Sequence, residues 1–330
     1  MKAMVVHEHG APEVFVLDNV PLPAPLPDQV RLRVRSSSVN PIDCKIRSGA
    51  LPLGASPPAI LHIDVAGVVG AIGEAVSGFE EGDRVFGFAG GLLAYPGALA
   101  EYVCVPAAAL ARIPTTLDFS HAGVLPVAAC TAWEAIHERA QVVAGESVLV
   151  QGGAGGVGHM AVQLAHACGA RVHATVSSAP KAELVRRLGA TAAIDYRQLE
   201  PSDIIREYTD GQAYDVVIDT VGGAALHKAL LLAKPGGRVV SIAARGSHDL
   251  SPMHGKGLRL DVVFAIRPFV EDRGFERLAE RLQQVARACE QGQLHPVLHE
   301  RIYTYSDVAE AHRCLESGAA LGKIALINDL

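Results

Sequence analysis

The sequence predicts an α/β protein: a doubly wound parallel sheet joined to an irregular antiparallel barrel or sandwich. Three observations carry this prediction. Strand and helix signals alternate between residues 147 and 242, a glycine-rich turn joins the first of these strands to the first of these helices, and the first 120 residues are β-rich. The chain has 330 residues, and at roughly 150 per domain two domains are expected.

The elements follow in order. Val5-Val6, Val30 to Val34 and Val65 to Val69 are short apolar or alternating runs, separated by Pro21, Pro23, Pro25, Pro27, Gly73, Gly78 and Gly82. Such punctuation suits antiparallel strands joined by turns. Residues 121–139 read as helical. Strands are then expected at Ser147–Gln151, Arg171–Val176, Ala192–Ile194, Val216–Ile218 and Arg238–Ile242, with Leu260–Ile266 as a candidate sixth. Helices are expected between them, beginning with Val157–Cys168, so the strands must run parallel. Residues 274–291 place Leu278, Leu282 and Val285 on one stripe of an amphipathic helix. The tail 295–330 turns β-like again and suggests a return to the first domain.

Composition removes several function classes. Lys plus Arg is 29 and Asp plus Glu is 35, a net charge of −6, whereas a nucleic-acid binder shows a basic excess. No run of eighteen apolar residues predicts a membrane span, and the N-terminus lacks a signal-peptide core. Cys44, Cys104, Cys130, Cys168, Cys289 and Cys314 are scattered, with no Cys-x-x-Cys pair. That pattern suits reduced thiols in a cytoplasmic protein.

The strongest motif is Gly153-x-Gly155-x-x-Gly158, placed after a strand and at the start of a helix. In that setting it is a dinucleotide-binding turn. Glycines let the backbone approach a pyrophosphate, and the first helical turn, with Gly156 and Val157, offers unpaired N–H groups to it. A sheet that binds S-adenosylmethionine also uses a glycine loop, but it carries an acid just before the loop, where this chain has Gln151. Enzymes using NAD place Asp or Glu after the second strand. Here that strand is followed by Ser177-Ser178-Ala179-Pro180-Lys181, and no acid occurs between Gly158 and Glu183. Hydroxyls and a lysine suit a 2′-phosphate, so the expected cofactor is NADP(H).

The motifs together resemble those of the medium-chain dehydrogenases/reductases, in the zinc-free quinone oxidoreductase (zeta-crystallin-like) branch. The matching segments are Asn40-Pro-Ile-Asp43, Asp64-Val-Ala-Gly67, Gly82-Asp-Arg-Val85, Thr131-Ala-Trp-Glu134, Gly152–Gly158, Asp219-Thr-Val-Gly-Gly223 and Gly322-Lys-Ile324. The resemblance implies a Rossmann domain at 121–294 and a GroES-like β-barrel catalytic domain at 1–120 and 295–330. It places Ser177, Lys181 and Tyr196 near the adenosine 2′-phosphate and Thr131 beside the nicotinamide. It also implies a cytosolic homodimer joined through the sheet edge near Leu260–Ile266.

In the zinc alcohol dehydrogenases of this superfamily three ligand places correspond to Asn40, Ile63 and Val127, and isoleucine and valine cannot bind zinc. His62 is one residue off and is expected to be a surface or cleft histidine. The four-cysteine structural lobe is missing, since 88–106 carries only Cys104. No metal is expected.

Without a Lewis acid, reduction of an activated acceptor is easier than alcohol oxidation. Quinones and α,β-unsaturated carbonyls need only a hydrogen-bond donor at oxygen. Asn40 is the candidate donor, or it orients the nicotinamide, and Asp43 fixes the surrounding loop. Asn40-Pro41-x-Asp43 also reads simply as a turn. Relatives carry a tyrosine where Lys45 stands, so Tyr95 and Arg267 are weaker candidates for the missing proton donor. Cys44 and Cys130 have no base beside them in sequence. The leading expectation is an NADPH-dependent reductase of quinones or enones acting on a small electrophile. The alternatives are an enoyl-thioester reductase and a non-catalytic NADPH-binding protein.

Overall fold

The computed structural model describes residues 1–330 except Pro52 and Ala55. One compact unit comprises Met1–Cys130, Ile266–Gly292 and Pro296–Leu330, and the other Thr131–Ala265 with Gln293–His295. The boundaries expected from the sequence, 120/121 and 294/295, differ chiefly in the amphipathic helix. That helix, Phe275–Glu290, buries Leu278, Leu282 and Val285 and packs on the strand Leu110–Arg112 of the β-rich unit. Periodicity reveals a buried stripe but not the surface that receives it.

In the second unit six strands form one sheet in the spatial order Ala192–Asp195, Arg171–Val176, Ser147–Gln151, Tyr214–Asp219, Ala233–Ser241, Arg259–Val262. Every neighbouring pair is parallel. Strands covered on both faces read as continuous apolar runs, and Val148, Leu149, Val150, Val216, Val217 and Ile218 are all fully buried. The strand order reverses beside Ser147–Gln151, the place where such sheets bind ligands. The sixth strand is shorter than Leu260–Ile266, ending at Val262.

In the first unit the strand Gln29–Val39 is the organising element. It pairs antiparallel with Asp64–Ile72, Tyr102–Pro106 and Ile324–Ile327. The C-terminal strand therefore returns to the N-terminal sheet, setting Ile324 opposite Val39 and Lys323 beside the end of that strand. A smaller sheet joins Phe15–Asn19, Lys2–Val6 and Ala59–Ile60. At Asn40 the chain leaves Gln29–Val39 in an extended conformation and enters the helix Pro41–Arg47. Proline at the first helical position suits that start, because its missing N–H would have no helical partner.

Candidate active site

The glycine turn lies between the strand Ser147–Gln151 and the helix Gly156–Ala167. Its glycines have different tasks. Gly152 adopts φ +68°, a conformation that disfavours side chains. A Cβ on Gly153 would lie 2.6 Å from the Cβ of Ala174, and one on Gly158 would run into the Gly152 carbonyl. Those two residues are glycine for the fold. Gly155 is exposed, and its nearest neighbour to a Cβ would be the Gly152 oxygen at 3.3 Å. A Cβ there would make that one close contact and otherwise face open space, which is the face a ligand would use. The turn is tied to the next strand: Gly152 N donates to Thr175 Oγ1 at 3.0 Å and Gly153 N to the Thr175 carbonyl at 3.1 Å.

A cavity of about 370 Å³ lies at this turn, walled by Gly152, Gly155, Thr175, Ser177, Lys181 and Tyr196 among others. Its wall holds the lysines Lys181 and Lys228 and no carboxylate residue, and Leu199, Ile204 and Val221 give it an apolar side. Lys228 also pairs with Glu200 at 3.2 Å. Ser178 stands at the N-cap of the helix Ala179–Arg187 with no side-chain cap bond and is outside the cavity wall. Thr131 is buried within the helix Pro126–Trp133 and is likewise outside it. Gln151 Oε1 is buried in the wall without a partner among the described residues, a feature that suits a polar ligand. A cradle of backbone N–H groups, basic side chains and an apolar wall fits a dinucleotide phosphate and its base.

The other predicted residues lie in the β-rich unit, in a buried polar network. Asn40 N donates to Asp43 Oδ2 at 2.7 Å, so the segment is a helix cap and not a free turn. Asn40 Nδ2 donates to Asp64 Oδ2 at 2.7 Å, and Lys323 Nζ donates to Asn40 Oδ1 at 2.6 Å. Lys323 also donates to the Val39 carbonyl at 3.4 Å and to Asp64 at 3.3 Å. The Val127 N–H reaches Asp64 Oδ1 at 2.7 Å, and the Ser38 hydroxyl bonds Asp64 Oδ2. Burial, and then the charge of Asp64, push the Asp43 carboxyl up to about 7. Asp43 Oδ1 is buried with no partner among the described residues.

Asp64 and Lys323 are the functional candidates that sequence reasoning missed. A signal was present: each charge opens an apolar run, Asp64 before Val65–Val69 and Lys323 before Ile324–Ile327. A charge at the mouth of a buried strand needs a partner.

The structure corrects the expectation for His62. It is fully buried at φ +78° and is neither a surface nor a cleft residue. His62 Nε2 lies 2.8 Å from His312 Nε2, while His312 Nδ1 lies 3.3 Å from both Arg47 Nη1 and Cys44 Sγ. Arginine only donates, so His312 Nδ1 accepts and its Nε2 donates to His62. Burial holds His62 near 3 and His312 well below the usual imidazole range, so both are neutral. Cys44 does have a base beside it, supplied by the C-terminal helix Val308–Glu316. Burial and the nearby Asp43 push its thiol up to about 12, which leaves it unreactive.

The weaker donor candidates are engaged elsewhere. The Tyr95 hydroxyl donates to the Asp272 carboxylate, and burial together with that bond raises it to about 12. Arg267 Nε donates to Glu271 at 2.6 Å.

The sequence model of the alcohol dehydrogenase GroES-like domain matches residues 26–115, and that of the zinc-binding dehydrogenases matches 156–268. The chain is 32% identical over 329 residues to the quinone oxidoreductase of Homo sapiens, covering 99% of this chain and 98% of that protein. The chain belongs to the quinone oxidoreductase branch of the medium-chain dehydrogenases/reductases. It shares 35% identity over 338 residues with the chloroplastic NADPH-dependent alkenal/one oxidoreductase of Arabidopsis thaliana, covering 99% of this chain and 79% of that one. It superimposes with a TM-score of 0.89 and 27% identity on Escherichia coli quinone oxidoreductase complexed with NADPH, covering 99% and 100% of the two chains.

One of the matching models carries zinc in its description, and this chain does not fit the metal. Ile63 is apolar and fully buried, Asn40 is held between Lys323 and Asp64, and Val127 contributes only its backbone N–H to Asp64. Among the described residues no group of three or more His, Cys, Asp or Glu side chains is placed to hold a metal ion.

Proposed function

We propose that the protein is a zinc-independent, NADPH-dependent reductase of quinones or α,β-unsaturated carbonyl compounds. The observation that carries this reading is the cavity at the glycine turn, which combines an open Gly155, two lysines and no carboxylate. The relatives' names point the same way, toward NADPH, quinones and alkenals.

Bound NADPH supplies a hydride. The chain's own residues do the rest. The backbone of Gly156, Val157 and Gly158 receives the pyrophosphate at the helix N-terminus, and Gly153 and Gly155, whose N–H groups bond Thr175 and Gly152, let it approach the turn. Ser177, Ser178, Lys181 and Tyr196 receive the 2′-phosphate, and a carboxylate in their place would repel it. Thr131 is assigned to the nicotinamide side.

Asn40 offers an amide N–H to the acceptor's oxygen, where negative charge develops as the acceptor is reduced. Asp64 uses one of its two amide hydrogens, which leaves the other for the substrate. Asp43 caps the helix that begins at Asn40. A conjugated acceptor delocalises its charge and needs no metal, which is why this donor set suits quinones and enones better than simple ketones.

The homodimer assignment draws on the sheet's edge strand Arg259–Val262, where Val262 is 48% exposed and the nearby Phe264 38%. A cytoplasmic location accords with the scattered free thiols.

The test is oxidation of NADPH with a small quinone, an enone and a crotonyl thioester offered in parallel. Turnover on the quinone or enone is expected. Preference for the thioester would select the acyl-chain alternative, and tight NADPH binding without turnover on any acceptor would overturn the catalytic reading.

A further inference from the structure

Two groups meet at the Asn40 side chain, Lys323 and Asp64, and their chemistry fixes which way its amide points. Lysine has three N–H donors and no acceptor. Lys323 is 3% exposed, and its contacts to Val39 O, Asn40 Oδ1 and Asp64 Oδ2 match those three donors. A carboxylate only accepts, and the Asp64 side chain is fully buried. The atom of Asn40 facing Lys323 must therefore be oxygen, and the atom facing Asp64 must be nitrogen. A flipped amide would set N–H against ammonium and C=O against carboxylate.

We propose that Lys323, delivered by the returning C-terminal strand, is a positioning residue: it locks the Asn40 amide so that an N–H, not a carbonyl oxygen, is left for the acceptor. The catalytic part of this proposal rests on the reading of Asn40 as the substrate's hydrogen-bond donor; the positioning part does not. Lys323 does not touch the substrate in this scheme. It acts through Asn40, and Asp64 holds the lysine in place. The arrangement also explains a buried charge pair at the start of a strand, which would otherwise be a poor source of stability.

The asparagines of the chain are Asn19, Asn40 and Asn328, so selective ¹⁵N-asparagine labelling gives a readable spectrum. The Asn40→Asp variant assigns the Asn40 side-chain signals. In the wild-type protein Asn40 should show two well-separated, slowly exchanging amide protons. In Lys323→Met those two shifts should move toward the values of a free side-chain amide and their exchange with water should quicken, while Asn19 and Asn328 stay in place, which reports an intact fold. Lys323→Gln, which keeps N–H donors without the charge, should lie between the two and covers the case in which the methionine variant fails to fold. Kinetically, Lys323→Met should lower kcat about 100-fold, as loss of one aligned donor does, with NADPH affinity unchanged. Combined with Asn40→Ala it should add almost nothing, because both changes remove one donor.

Unchanged Asn40 signals in a folded Lys323→Met or Lys323→Gln protein would overturn the positioning role. Losses that multiply in the double variant would also overturn it. Altered Asn40 signals with unchanged kcat would leave the lock standing and instead remove Asn40 from the reductase scheme.

Discussion

The glycine turn and the Asn40 network are built on opposite devices. The turn is made possible by side chains that are missing: Gly155 leaves its face open, and Gly153 and Gly158 allow strand, turn and helix to close up. The network is built from charges that are present and buried, Asp64 and Lys323, each satisfied by the other and by neutral groups. The turn should tolerate a local change that destroys only binding. The network should lose stability when one charge is removed, because the other is left buried without a partner. A site made of backbone thus separates binding from stability, while a site made of compensated charges couples activity to the fold.

The comparison can be broken most sharply at Asp64. Asp64→Ala leaves Lys323 buried and uncompensated, and a loss of about 3–5 kcal/mol is expected, read as a shifted midpoint in denaturant unfolding. A loss below about 1 kcal/mol would mean that Lys323 finds another partner or water. At the turn, Gly155→Val should weaken NADPH at least about 100-fold by blocking phosphate approach. Its circular dichroism and melting should stay close to wild type, whereas Gly158→Val should fail to fold. Equal stability loss in both variants would erase the distinction drawn between these glycines.

Lys181→Glu should weaken NADPH about 10- to 100-fold more than NADH, because it replaces an ion pair to the 2′-phosphate with repulsion. Equal effects on the two cofactors, measured by fluorescence titration, would remove Lys181 from that role.

A further expectation concerns pH. His62 and His312 fold as neutral groups, with His62 held near 3 against an ordinary value of 6.5. The unfolded chain takes up protons below pH 6.5 and the folded one does not, so their contribution is intact above 6.5 and is lost as pH falls toward 3. Both histidines should therefore make the protein less stable as the pH falls below 6.5. Asp43 works in the opposite sense, since its carboxyl is raised from 3.8 to about 7; its contribution is full below 3.8 and is lost as pH rises through 7. In a variant carrying both His62→Gln and His312→Gln, the acid limb of the stability curve should flatten. An unchanged slope would contradict the neutral, buried pair.

The two regions also differ in how far sequence alone reveals them. The turn is a local object: Gly153, Gly155 and Gly158 follow an apolar strand and open a helix within a dozen residues, and the missing acid before Glu183 is read from the same stretch. The parallel sheet is legible for a similar reason, since strands buried on both faces show as apolar runs such as Val148–Val150. The network joins Asn40 and Asp64 to Lys323, a residue 283 positions from Asn40, and no local pattern encodes that pairing. His62 fails for the same reason. Its partner His312 is 250 residues away, and a lone histidine between apolar neighbours does not announce a buried pair. The helix Phe275–Glu290 shows the intermediate case, with its buried face evident and its docking partner not.

In the proposed function the labour is divided: the glycine turn and its cavity would bind NADPH, and the Asn40 network would serve turnover. The most direct test is one variant, Asn40→Ala, with NADPH affinity and acceptor reduction measured on the same sample. Lys323 and Asp64 remain to satisfy each other, so the protein should fold. The predicted result is an NADPH Kd within about twofold of wild type and a kcat on the best acceptor lowered about 100-fold. Full turnover, or loss of NADPH binding by a folded protein, would contradict the division.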